Sequence, residues 1–204
     1  MNQFSFKTIK KPIGDILLKE KGSKFIGFAN SVSNEKDFKD FLEDIKKNHP
    51  KATHHCYAFR IGIDGENYRA NDDGEPNGSA GLPILNQILA KDLTNTCVIV
   101  VRYYGGTKLG VSGLVKAYKN CAQETLDLAE IITKDLMILI EINFKFSLQN
   151  VIFSLINKYD GKILDFVSEQ NCKIKAEIKS ADSETFLAKL EEIHEVGFRI
   201  ISQN

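Results

Sequence analysis

The sequence predicts an α+β protein of two domains, and three observations carry that prediction. Cys97–Val101 is an unbroken apolar run rich in β-branched residues, the pattern of a strand buried on both faces. The run leads through Gly105-Gly106 to Gly110-Val111-Ser112-Gly113. Beyond these, Leu114, Val115, Tyr118, Cys121, Ala122 and Leu126 recur at helical spacing, so strand, glycine-rich turn and helix follow one another. After Thr133-Lys134-Asp135 the pattern changes to β-α-β-β-α-β, a ferredoxin-like order with an antiparallel sheet and two helices on one face. A chain of 204 residues has room for one large or two small domains, each able to bury a core. The expected division is 1–135 and 136–204.

In order along the chain, residues 3–10 read as a first strand stopped by Pro12. Ile13–Glu20 and Lys24–Ala29 form a hairpin around Lys21-Gly22-Ser23, where Gly22 supplies the positive φ of a tight turn. Ser33 or Asn34 caps a helix reaching Asn48, with Phe38, Phe41, Leu42 and Ile45 on its apolar face and Pro50 beyond its end. His54–Ile63 is a further strand, followed by a turn at Asp64-Gly65. Residues 69–83 show neither helical nor strand period. Gly78-Ser79-Ala80-Gly81 then opens a helix with Pro83 in its first turn and Leu85, Ile88, Leu89 and Leu93 inward.

In the second domain, Met137–Phe146, Lys162–Val167, Cys172–Ile178 and Gly197–Ser202 read as strands, with Gln170-Asn171 between the middle two. Leu148–Tyr159 and Ser183–His194 read as helices. The strand from Cys172 lacks the aromatic signature of an RNA-recognition motif, and Lys173, Lys175 and Lys179 read as a solvated face.

Charge is balanced, with 27 basic and 27 acidic side chains, so no global field draws in nucleic acid or anionic membrane and any such site must be a local patch. Four cysteines at 56, 97, 121 and 172 show no metal or redox spacing, no signal peptide is apparent, and no apolar stretch is long enough to span a bilayer. A cytoplasmic protein with reduced thiols and no membrane partner is expected.

The local patch lies at the exit of the 97–101 strand. Arg102, Tyr103 and Tyr104 precede Gly105-Gly106, Lys108 follows, and Lys116 and Lys119 lie three apart on the next helix. A helix start presents backbone N–H groups and a positive dipole end, which suit a phosphate. Gly110 opens one such start, and Ser79 and Gly81 belong to a second; both are expected on one functional surface with Arg102 and Lys108. Neither G-x-x-x-x-G-K-[ST] nor G-x-G-x-x-G is present, which argues against a Walker-type ATPase. The alternative is that the glycines only close a tight turn.

Asp72, Asp73 and Glu75 crowd the other informative loop. They are candidates for a divalent metal, for acid–base work, or for ion pairs with Arg69, Arg102 and Lys108. A structural acidic turn is preferred, because no catalytic partner is identified. His54-His55-Cys56 places at most two ligands on one strand face, fewer than zinc requires. No catalytic residue, metal or cofactor is assigned.

Four segments together resemble a known family: Lys24-Phe25-Ile26-Gly27, His54-His55-Cys56-Tyr57-Ala58, the run Asn71–Pro83, and Val101–Gly110 with Gly113-Leu114 and Ala117-Tyr118. They are similar to the IMPACT family, in its bacterial YigZ branch. The resemblance implies a first domain of the ribosomal protein S5 domain 2-like type, an α/β sandwich resembling domain IV of elongation factor G, with a tail resembling its domain V. Eukaryotic members inhibit the amino-acid-starvation kinase pathway by competing for its activator protein. Their extra N-terminal domain is not expected here, nor that particular partner. The resulting expectation is a translation-associated, non-catalytic regulator that binds structured RNA or the ribosome. Arg102, Lys108, Lys116, Lys119 and the Gly105-Gly106 turn would meet phosphates, and Tyr103 or Tyr104 a base. An enzyme using Asp72, Asp73 or Glu75, and a protein-binding regulator without RNA contact, stay open, as does the oligomeric state.

Overall fold

The computed structural model describes residues 4–63, 65 and 67–203, so Asp64 of the expected turn and residue 3 of the expected first strand lie outside the described residues. After β1 (Ser5–Ile9), β2 (Ile13–Glu20) and β3 (Ser23–Ser31) form the expected hairpin. Its two turn residues, Lys21 and Gly22, have φ of 44° and 83°, the left-handed pair of a two-residue hairpin loop. In α1 (Glu35–Asn48), Asn34 rather than Ser33 is the cap: its side chain accepts from Asp37 N at 2.9 Å, while Asp37 Oδ2 accepts from Ser33 N at 3.1 Å.

β4 (His54–Ile61) pairs with β5 (Asn67–Asn71). The latter runs, from Arg69 to Asn71, into the segment that shows no strand period. It is an edge strand, exposed on both faces over most of its length, so no alternation marks it. α2 (Gly81–Ala90) buries Ile84, Leu85 and Ile88, but Leu89, expected inward, is exposed. One residue beyond Ile88 the helix has turned by about 100°, which carries Leu89 off the buried stripe. β6 (Thr96–Tyr103) is the central strand of an antiparallel sheet ordered β2-β3-β6-β4-β5, and α3 (Gly110–Asp127) follows it.

Strand alternation decides what each face of the sheet holds. Val98 and Val100 join Phe25, Cys56, Ile84, Ile88, Leu114, Tyr118 and Cys121 beneath α2 and α3. Cys97, Ile99 and Val101 face the opposite way, toward Phe38 and Ile45 of α1. With cover on both faces, every residue of β6 from Thr96 to Arg102 is buried, as its apolar run predicts.

After β7 (Ile131–Asp135) come β8 (Met137–Lys145), α4 (Gln149–Lys158), β9 (Lys162–Val167), β10 (Asn171–Lys179), α5 (Ser183–Glu191) and β11 (Gly197–Gln203). The antiparallel sheet is ordered β11-β8-β10-β9, the arrangement of a ferredoxin-like unit. Ile138, Ile140, Ile142, Ile174, Ala176 and Ile178 share one core with Ile152, Ile156, Phe186 and Leu190, so both helices cover one face. On the other face Glu141 accepts from Arg199 Nε at 3.0 Å, and this bond holds its carboxyl below the usual range. Lys173 lies 3.8 Å from the same carboxylate.

The described chain divides into two compact units, Lys7–Thr133 and residues 134–203 together with Phe4–Phe6. The expected division at 135 assigned all the opening residues to the first domain. The structure groups Phe4–Phe6 with the second, because β1 pairs with β7 and Leu136 N donates to Phe4 O at 2.8 Å. No described helix is long and apolar enough to cross a membrane.

Candidate nucleic-acid interface

The end of β6 sends successive side chains to opposite faces. Arg102, in phase with Val98 and Val100, enters the core under α3 and is 5% exposed. Nη1 donates to Glu75 Oε1 at 2.6 Å, Nη2 lies 3.4 Å from Ser23 Oγ, and Nε has no partner among the described residues. The guanidinium carbon sits 5.4 Å from the Phe25 ring centroid and 5.5 Å from that of Tyr104. Arg102 is therefore a buried ion-pair residue rather than the displayed cation that its position at a strand exit predicts.

Glu75 Oε1 also accepts from the Tyr118 hydroxyl at 2.7 Å. Cys56 Sγ lies 3.3 Å from that hydroxyl and 3.0 Å from the Asp72 carbonyl oxygen. Burial pushes the Tyr118 and Cys56 pKa values well above their usual ranges, which keeps both groups protonated. Alternation foretells that His54 and Cys56 share a face; the partners that meet them there come from residues 72–75 and 118.

Each acid of the turn is engaged. Asp72 Oδ1 accepts from Ala80 N at 2.9 Å and Gly81 N at 2.8 Å, and Oδ2 from Gly78 N at 2.8 Å. Asp73 Oδ2 accepts from His55 N at 2.6 Å, and the Asp73 carbonyl meets His54 Nδ1 at 2.7 Å. Of the expected basic partners, only Arg102 forms its pair. The same contacts take the start of α2 out of the displayed surface. Its first N–H groups are held by Asp72, Ser79 is buried, and a Cβ on Gly81 would lie 2.4 Å from Asn71 N. Ser79 and Gly81 serve packing there.

The start of α3 is different. It has no side-chain cap and no acid in its first turn. Gly110 (φ 71°), Lys108, Lys116 and Lys119 are all exposed, and the three lysines form no salt bridge among the described residues. Lys116 and Lys119 lie about 9 Å and about 14 Å along the axis from Gly110. A cavity of about 270 Å³ opens here, lined by Glu75, Arg102, Tyr104, Lys108, Gly110 and Val111 among others.

Of the adjacent glycines, Gly105 packs backbone to backbone on the hairpin turn: a Cβ would lie 1.9 Å from Gly22 C, and its N–H donates to Ser23 Oγ at 3.1 Å. Gly106 adopts φ of 85°, with open space where a side chain would stand.

Tyr104 also borders a second cavity, of about 420 Å³, with Gly22, Lys24, Ile26, His49 and Tyr103. His49 Nδ1 is 2.9 Å from the Tyr103 hydroxyl, and the Tyr104 hydroxyl donates to Gly106 O at 2.8 Å. The sequence carries no signal for His49, which follows α1 and meets Tyr103 only through the tertiary fold. His55, on that same sheet face, is shifted to a lower pKa by burial, and its Nε2 donates to His49 O at 3.2 Å. Among the described residues, no three His, Cys, Asp or Glu side chains group closely enough to hold a metal ion.

Residues 21–126 match the Impact N-terminal domain. The chain is 41% identical over 133 residues to the IMPACT family member YvyE of Bacillus subtilis, a match spanning 65% of this chain but 61% of that protein. It is 30% identical over 184 residues to the IMPACT family member YigZ of Escherichia coli, covering 89% of this chain and 90% of that one. A crystal structure of a hypothetical protein, 28% identical, superposes with a TM-score of 0.76 over 98% of this chain and 99% of its own. Motif order, domain match and near full-length relatives agree: the chain belongs to the IMPACT family.

Proposed function

We propose that the chain is a cytoplasmic, translation-associated regulator that binds structured RNA or the ribosome without chemistry of its own. The observation that carries this reading is the corner formed by exposed Tyr104 and the uncapped start of α3 beside Lys108. Backbone N–H groups there hold a phosphate by direction, lysines add charge, and an aromatic ring offers a base a stacking surface. The three acids on which an enzyme would draw are already tied to backbone, Arg102 and Tyr118.

With the whole-protein charge at zero, affinity comes from a few aimed groups, and neutralising about three or four phosphates gives a shallow salt slope. Because Arg102 is buried, the informative variant is Lys108→Ala with Lys116→Ala. Both side chains are exposed, so the melting temperature should hold while hairpin-RNA affinity falls by about tenfold to a hundredfold and the salt slope flattens. Mobility shifts and co-sedimentation with ribosomes, with and without RNase, measure this. Equal binding by parent and double variant would remove the site. A parent that binds no RNA at any salt would favour a protein partner in translational control.

A further inference from the structure

We propose that the cavity bordered by Tyr104, Tyr103 and His49 accepts an unpaired nucleobase, so that RNA is held at a bulged or flipped-out nucleotide rather than along regular duplex. This rests on the RNA-binding reading above and names the ligand feature that the same surface recognises.

The cavity exists because α1 ends at Asn48 while β3 and β6 run on. α1 covers Ile99 and Val101, but Ile26, paired with Val101, and the next rung of that face, Lys24 paired with Tyr103, line an open slot. Its volume of about 420 Å³ falls in the range of small-molecule sites. Three aromatic side chains and Ile26 form walls, Lys24 adds a cation, and none of the lining residues among those described carries a negative charge.

The hydroxyl groups decide what kind of surface this is. Tyr103 uses its hydroxyl on His49, and Tyr104 uses its own on Gly106 O. Both rings are held in place and present π surface more than hydrogen-bonding groups, which suits stacking on any base. Buried Arg102 acts here as a positioning residue: its guanidinium packs against the Tyr104 ring from within. Lys24 lines this cavity and Lys108 its neighbour, with Tyr104 common to both, so cations stand on either side of a stacked base to meet the flanking phosphates. Bases in an A-form duplex are stacked and inaccessible to such a slot; unpaired ones are not.

The test uses the full chain and two hairpin RNAs of equal length. One carries 2-aminopurine as a single-nucleotide bulge, and the other carries it base-paired. The bulged RNA is expected to bind about tenfold tighter, with the probe's fluorescence quenched on binding. Tyr104→Ala and His49→Ala should each reduce its affinity to that of the paired RNA. Tyr104→Phe, which keeps the ring, should retain the preference, and circular dichroism melts confirm that each variant is folded. Equal affinity for the two RNAs, or a preference that survives Tyr104→Ala in folded protein, overturns the inference and leaves RNA binding standing. Failure to bind either RNA overturns both.

Discussion

Glu75 is the residue at which the acidic turn, the central strand and α3 meet. One carboxylate oxygen takes bonds from Arg102 and Tyr118, and its side chain is 4% exposed. Such a pair adds little net stability over apolar residues, yet losing one partner leaves a buried charge alone. Glu75→Ala is therefore expected to destabilise by about 3–5 kcal/mol in urea melts, and Glu75→Leu with Arg102→Met to recover most of that loss. A double variant as unstable as the single one would refute the account. The sequence shows both residues, but 27 positions apart, Glu75 inside a loop and Arg102 near the end of a strand. The apolar run of β6 stops at Val101, so nothing periodic tells whether Arg102 turns inward. Only the register, which sets Arg102 opposite Phe25 and His54, settles it.

At the scale of elements, glycine patterning was legible as places where the backbone turns or approaches another group closely, but not as which backbones meet. The hairpin β2–β3 and the turn after β6 touch through Gly22 and Gly105, with no room for a side chain. Gly105→Ala must separate two backbones and weaken the Gly105 N–H bond to Ser23, at an expected cost of about 1–3 kcal/mol. Gly106→Ala meets no neighbour among the described residues and bears only left-handed strain, roughly 1–2 kcal/mol. Chemical denaturation of the two variants checks the order, and a cost for Gly106→Ala exceeding that for Gly105→Ala would contradict it. The start of α2 carries a similar lesson. Its glycines resemble a phosphate loop, but the anion it holds is the chain's own Asp72, seated through Ala80 and Gly81. β5 escaped detection because an exposed edge has no buried side to mark its period.

At the scale of the whole molecule, the βαββαβ order was readable because its two central strands alternate: even-numbered residues of β8 and β10 face the helices and odd-numbered ones do not. That unit has its own core of isoleucines with Phe186 and Leu190. A fragment of residues 134–204 should therefore fold alone, giving dispersed amide resonances and a cooperative thermal transition. A fragment with collapsed resonances and no transition would show that its core needs more of the chain. The grouping of Phe4–Phe6 with this unit could not be read in advance, since the β1–β7 pairing joins segments more than a hundred residues apart and β7 is largely exposed.

The grip of Asp72 on Gly78 also bears on how the protein ages. Asn77-Gly78 is the dipeptide most prone to spontaneous deamidation, in which the glycine's backbone nitrogen attacks the asparagine side chain to form a succinimide. Asn77 is exposed, as a vulnerable site would be. But the Gly78 N–H is held by Asp72 Oδ2 at 2.8 Å, so the attacking atom is turned toward another partner. Asp72→Asn should loosen that hold, and mass spectrometry of protein stored at mildly alkaline pH should then find isoaspartate at residue 77 accumulating several-fold faster than in the parent. A single carboxylate would thus set the shelf life of the loop as well as its shape.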